Sequence, residues 1–107
     1  MAKAVGLTQF GVNHVTLEPG SRTASRHWHA VEDEFVFVLS GTPTLIDENG
    51  PHDLEPGSIA GFPAGVPNAH HVVNQSDGPA VLIVVGSRRP GEETITYPDD
   101  NFGPIRK

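Results

Sequence analysis

Two histidines one residue apart, His27 and His29, are followed by a glutamate at Glu34, and a second histidine pair, His70 and His71, lies further along the chain. Imidazole nitrogens and a carboxylate oxygen are donors suited to a divalent transition metal, and six histidines in 107 residues are an ample supply. In a strand, side chains at i and i+2 leave the same face, so His27 and His29 can reach one ion while Trp28 points away. Glu34 has the opposite parity to His29 and joins that face only if residues 30–33 turn the chain into a new strand. In His70-His71-Val72-Val73-Asn74, alternation sends His70, Val72 and Asn74 to one face and His71 and Val73 to the other. One of the two histidines can therefore be a ligand; His70, which shares its face with small or apolar partners, is the expected one and His71 the alternative. A carboxylate and two imidazoles buried without partners would each cost roughly several kcal/mol, whereas one cation satisfies all three.

The elements that must position these groups read as strands. Glycine and proline number 12 and 10, a density of turn residues that suits short strands better than helices, and no period of 3.6 residues recurs. Residues 10–17 alternate, with Val12, His14 and Thr16 on one face and Asn13, Val15 and Leu17 on the other, before Glu18-Pro19-Gly20 turns the chain. Residues 34–39 are β-branched and aromatic and predict a central strand covered on both faces, its inward face running Glu34, Val36, Val38 and Ser40. Residues 44–47 and 51–54 predict a hairpin around Asn49-Gly50, whose positive φ angles make a tight turn. Three more strands are expected at 58–62, 69–74 and 80–86, the last central; small residues at Ala60, Gly61 and Ala64 suggest close approach of backbone or ligand. Leu17-Glu18-Pro19-Gly20 recurs as Leu54-Glu55-Pro56-Gly57, as if two similar β units faced each other. Short strands at this spacing predict an all-β antiparallel sandwich or closed barrel.

Length and composition bound the rest. A chain of 107 residues, 36% hydrophobic and 19% charged, is one globular domain, residues 1–107, with a core over about 10–86 and a C-terminal tail over 87–107. No apolar run approaches the length of a membrane span. Seven Lys and Arg against 13 Asp and Glu give a net charge of −6, which repels a phosphate backbone, so nucleic acid is not an expected partner. There is no cysteine, which excludes disulfides, thiolate metal sites and Cys nucleophiles, and Met1-Ala2-Lys3-Ala4 is not followed by a secretory-type apolar segment, so the expected compartment is the cytoplasm.

The chain resembles the cupins. Their first motif, G(X)5HXH(X)3-4E(X)6G, is reproduced by Gly20, His27, His29, Glu34 and Gly41, with one extra residue after the first glycine. Their second, G(X)5PXG(X)2H(X)3N, is followed by Gly57, Pro63, Gly65, His70 and Asn74, with two extra residues between Gly65 and the histidine. The resemblance covers residues 10–86 and is similar in its details to a bacterial subgroup of single-domain cupins called predicted enzymes or sugar-phosphate isomerases. It implies an antiparallel double-stranded β-helix, or jelly-roll barrel, a divalent metal bound by three histidines and a glutamate (His27, His29, Glu34 and His70), and a homodimer.

Such a ligand set suits Fe, Mn, Ni, Co or Zn and leaves positions open for a small-molecule substrate or water. The expected function is a metalloenzyme of isomerase, lyase or dioxygenase type acting on an oxygen-bearing molecule; the alternative is a non-catalytic metal or small-ligand binding or sensor module. No dedicated acid or base is visible beyond the ligands. His14 and His52 lack ligand spacing and read as ordinary surface or hydrogen-bonded side chains, Glu32 and Asp33 as solvated turn residues, and Trp28, Phe37 and Phe62 as core or interface. Arg22 and Arg26, near the first motif, are candidates for steering an anionic substrate, weighed against ordinary solvated charge.

Overall fold

The structure, a computed structural model, describes residues 6, 9–24, 26–87, 94–96 and 105–106. Its elements are strands: β1 (Phe10–Leu17), β2 (Trp28–His29), β3 (Glu34–Ser40), β4 (Thr44–Asp47), β5 (Gly50–Asp53), β6 (Ile59–Phe62), β7 (His71–Val73), β8 (Ala80–Ser87), β9 (Thr94–Thr96) and β10 (Ile105–Arg106). They form a four-stranded sheet ordered β1-β8-β3-β6 and two three-stranded sheets ordered β5-β4-β7 and β10-β9-β2. Every strand pair is antiparallel.

The core lies between the sheets. Leu17, Val36, Val38, Phe62, Ala80 and Leu82 from the four-stranded sheet pack with Leu45 and Val72 from the sheet opposite. The inward parity of β3 follows the expected Glu34, Val36, Val38 series as far as Val38. A register shift between Val38 and Ser40 then breaks the alternation, and Ser40 is exposed instead of facing inward. The expectation that β3 is covered on both faces is also not met. It is central, between β8 and β6, but its outer face is open, with Phe35 and Leu39 38% and 45% exposed.

The repeated Leu-Glu-Pro-Gly segment makes the same turn twice. Ser21 N donates to Glu18 O at 3.0 Å and Ser58 N to Glu55 O at 2.9 Å, with Gly20 and Gly57 at φ 88° and 89°. This is the type II turn that proline followed by glycine favours. In the β4–β5 hairpin only Gly50 has positive φ, at 100°, and Asn49 does not. Asp47 pairs with Gly50 across the turn, so glycine sits where a turn joins the returning strand and asparagine is not required to adopt a left-handed conformation. Gly61, expected at a close approach, has open space where a side chain would be.

Beyond β8, the described part of the chain's end adds β9 beside β2 and buries Ile95. Of the expected C-terminal tail over 87–107, residues 88–93, 97–104 and 107 lie outside the described residues.

The tightest approach falls at Gly41, the last residue of the first motif. Its φ is 83°, and a Cβ there would stand 2.6 Å from Pro79 O and 2.7 Å from Ala80 Cα. Both conformation and space exclude a side chain. Gly41→Ala is expected to destabilise the fold by about 2 kcal/mol or more, whereas Gly20→Ala, which meets no atom within 4 Å, carries the conformational penalty alone; urea unfolding of the two variants measures the difference.

Candidate metal centre

Three backbone devices bring the first and second motifs together. His27 and His70 form an isolated antiparallel bridge, with His27 N donating to His70 O at 3.1 Å and His70 N to His27 O at 2.9 Å. Residues 30–33 bend from β2 into β3, as the parity of Glu34 requires. The loop after β6 clamps that bend: Gly65 N donates to His29 O at 2.9 Å and Ala64 N to Asp33 Oδ1 at 2.7 Å. The far side is held by Ser87, whose Oγ accepts from Asp33 N at 2.8 Å and whose N donates to Asp33 O at 3.0 Å. Asp33 is exposed, as expected of a solvated turn residue, and also serves as a structural staple.

The side chains converge as a result. One donor atom from each of His27, His29 and Glu34 lies within 4.8 Å of the others. Donors bonded to one ion at about 2.1 Å stand up to about 4.2 Å apart, so rotamer-scale movement closes the set. His29 Nε2 is 3.7 Å from Glu34 Oε2, and His70 Nε2 is 2.5 Å from Glu34 Oε1. The His27 ring lies edge-on to His29 at 5.0 Å and tilted against His70 at 5.1 Å.

His70 is the most constrained member. Its ring stacks on Phe62 with centroids 3.5 Å apart and planes 7° from parallel. Its Nδ1 is 2.9 Å from the Asn68 carbonyl, which can only accept, so the proton sits on Nδ1. In the neutral ring Nε2 then carries a lone pair aimed at a carboxylate oxygen. Two acceptors at that separation need a cation between them, a proton or a metal, and fixing a ligand histidine through its other nitrogen is the arrangement metal centres use. Burial alone would push the Glu34 carboxyl up; hydrogen bonds from His29 and His70 and the charges of His70 and His27 outweigh it and hold the group far below the usual carboxylate range. The residues thus fit a divalent cation, with an anionic oxygen and imidazoles facing one point.

His71, the alternative ligand, is turned elsewhere: its Nδ1 donates to Ala24 O at 2.7 Å. Asn74, the last residue of the second motif, is buried and ties Leu17 O and Gly78 O through Nδ2 at 2.7 and 2.8 Å, so its role is to close the loop before β8. His52 meets Asp47 at 3.0 Å, away from the cluster. Arg26 is paired with Glu48 at 3.2 Å and Arg22 is exposed. Two contributors were not anticipated: Phe62, read only as core or interface, and Asn68, whose side chain binds Glu48 N at 3.0 Å and Asp47 at 3.4 Å while its carbonyl orients His70. An aromatic one strand from a ligand was the only signal for the first, and no pattern marked the second.

A cavity of about 330 Å³ opens against the cluster, with His27, Glu34 and His70 in its wall. Donors on the wall of such a recess can act on a molecule held there, and the volume lies at the small end of ligand sites.

The family model described as a cupin domain matches residues 13–86. A crystal structure from Silicibacter pomeroyi, described as a sugar phosphate isomerase from a cupin superfamily, shares 46% identity over 100% of this chain and 72% of its own, with a TM-score of 0.90. A protein from Acidithiobacillus ferrooxidans whose name proposes a sugar phosphate isomerase shares 32% identity over 99% of this chain and 71% of its own, with a TM-score of 0.87. A Cupin 2 conserved barrel domain protein from Salinispora arenicola shares the fold, at 20% identity over 76% of this chain and 65% of its own and a TM-score of 0.65. No curated protein matches.

The support behind His70 can be tested through Asp47. Burial raises its pKa, but hydrogen bonds from Asn49, His52 and Asn68 and the charge of His52 bring it below the ordinary value. A folded-state pKa below the unfolded one stabilises the fold above the unfolded pKa and ceases to do so as pH falls through the folded value. Asp47→Asn is expected to cost about 1 kcal/mol at neutral pH, the gap from the parent narrowing as pH drops below about 4; denaturant unfolding at a series of pH values measures it.

Proposed function

Starting from the fact that the chain belongs to the cupin family, we propose that it is a metal-dependent enzyme of a small oxygen-bearing substrate, its divalent ion held by His27, His29, Glu34 and His70. The observation that carries this reading is the convergence of His27, His29 and Glu34 on one another at the wall of a cavity, with His70 against the same half-buried carboxylate. The ion would be Fe, Mn, Ni, Co or Zn, and when bound it would supply Lewis acidity to substrate oxygens, or in the case of iron a route to dioxygen. The chain's own residues do the positioning: Asn68 and Phe62 fix the His70 ring, Gly65 holds the backbone of His29, and Val36 and Val84 supply apolar surface to the cavity wall. The names of the Silicibacter pomeroyi and Acidithiobacillus ferrooxidans structures support isomerase chemistry, with lyase and dioxygenase chemistry open to the same ligand set. A net charge of −6 is in keeping with a protein that does not bind nucleic acid; among the described residues no helix is long and apolar enough to cross a membrane.

The same reading includes a homodimer. The outer face of the four-stranded sheet carries Phe35, Leu39 and Ile59, the last 64% exposed, beside partly buried Phe37, Ile83 and Val85. Neighbouring strands place these side chains together, since Phe35 pairs with Val85 and Phe37 with both Ile83 and Ile59. A contiguous apolar face of this kind favours burial against a second copy.

Two measurements test these points. Metal analysis of untagged protein is expected to find about one equivalent of transition metal per chain, lost on His27→Ala, Glu34→Ala or His70→Ala and retained on His71→Ala; full occupancy in the first three rejects the site. In sedimentation velocity the parent is expected to run as a dimer and Ile59→Glu as a monomer with an unchanged circular dichroism spectrum, whereas a monomeric parent rejects the pairing.

A further inference from the structure

We infer that the β4–β5 turn, which contributes none of the four ligands, is a clamp on the metal centre, and that Asn68 and Asp47 are positioning residues acting on the ion through His70. The inference rests on the metal reading above and goes beyond it by assigning control of the site to side chains outside the ligand set.

Topology puts the turn within reach of both ligand-bearing arms. His70 and His71 lie on the middle one of three adjacent segments: Ile46 of β4 pairs with His71 on one side, and His27 bridges His70 on the other. Beyond Ile46 the chain runs into the turn, where Asp47 pairs with Gly50. Side chain and backbone there close on the His70 arm. Glu48 N donates to Asn68 Oδ1 at 3.0 Å, and Asn68 Nδ2 donates to Asp47 Oδ2 at 3.4 Å. Asp47 is itself fixed, its Oδ1 accepting from Asn49 N at 2.9 Å and from His52 Nε2 at 3.0 Å. On the other arm Arg26, the residue before His27, reaches Glu48 Oε1 at 3.2 Å.

The two roles of Asn68 meet in one residue. Its carbonyl is the acceptor that keeps the His70 proton on Nδ1 and leaves Nε2 to face the ion. A carbonyl holds a ring only as firmly as its own peptide is held. Asn68 is anchored at its backbone N, which donates to Val66 O at 2.7 Å, and at its side chain, whose amide spends an acceptor and a donor on the turn. Removing a partner one step behind a ligand typically weakens metal binding by about 10- to 100-fold. The Arg26–Glu48 pair is more exposed and more screened, so the His27 arm is the weaker half of the clamp.

The test uses the full chain and cobalt(II), whose visible absorption reports the geometry of its ligands. Cobalt uptake by the parent is measured first; a parent that takes up none overturns the metal reading, and the clamp with it. Asn68→Ala is expected to bind cobalt at least about tenfold more weakly and with shifted visible bands, and Glu48→Ala no more than about threefold more weakly. Exchange of the two side chains separates positioning from general stability. Asn68→Asp alone sets two carboxylates against each other and is expected to bind as weakly as Asn68→Ala. Adding Asp47→Asn makes a donor face an acceptor again, and the double variant is expected to return to within about threefold of the parent's affinity, with the parent's spectrum. Parent-like affinity and spectrum in a folded Asn68→Ala, even with a lower urea midpoint, overturns the clamp and leaves the metal centre standing. Should Asn68→Ala fail to fold, the exchange decides: a double variant that binds cobalt no better than Asn68→Asp overturns the clamp.

Discussion

The half-buried carboxylate of Glu34 sets the terms for everything around it. An ionised group removed from water is tolerated only where opposite charge and hydrogen-bond donors replace the lost solvation. Here the replacement comes from His29 and His70, which face its two oxygens separately, with His27 close behind. The compensation is collective: removal of one imidazole leaves the carboxylate underpaired, and removal of the carboxylate leaves imidazoles crowded around a low-dielectric point. A cluster of this kind is a poor device for stability alone, since apolar side chains of similar volume would fill the same space at lower cost. Its retention in so small a domain makes sense as a binding site for a cation.

Small domains have little core from which to offset such a cluster. This one relies on backbone pairing. The reciprocal hydrogen bonds between His27 and His70 fix the separation of their backbones, and ring contacts with each other and with Phe62 then set the imidazoles. The bend at residues 30–33 is held from both sides, by the loop after β6 and by Ser87 at the end of β8, so the step from His29 to Glu34 is a supported turn. Phe62, in register with Glu34 across the β3–β6 pair, then supplies the flat surface that orients the His70 ring. Positions that act on the site at one remove thus belong to elements already required by the fold.

Much of this was legible from residue order. Parity placed His27 and His29 together and required a turn before Glu34, and the turn is there. The inward series Glu34, Val36, Val38 holds until a bulge, which a sequence pattern of period two cannot announce because either neighbour can be the extra residue. The recurrence of Leu-Glu-Pro-Gly correctly signalled two equivalent turns, since proline and glycine at adjacent positions constrain φ directly. The β4–β5 turn was read less well: Asn-Gly permits more than one geometry, and pairing of Asp47 with Gly50 selected the one in which glycine alone is left-handed. The covering of β3 was misjudged for a different reason. A run of valine and phenylalanine reports that a strand avoids water on both faces, but not whether the second face is closed by the same chain. Asn68 was invisible because its contribution to His70 comes through a carbonyl, which every residue possesses.

The two equivalent turns also explain why a near-symmetric scaffold carries an asymmetric site. After Gly57 the chain passes directly into β6 and spends its residues on the sheet. After Gly20 it delays, making a bridge from Arg22 to Val73 and another from His27 to His70 before β2 begins. That irregular stretch turns the first histidine pair toward β7 and keeps Thr23 and Ala24 in the cavity wall. A regular strand in its place would bond along its whole length and close the space above the cluster. The cavity therefore follows from one half of the repeat departing from the other, and the extra residue between Gly20 and His27 lies in that departure. Variation in this segment would change the shape of the bound molecule's surroundings while Glu34, held on β3, stays where the core puts it.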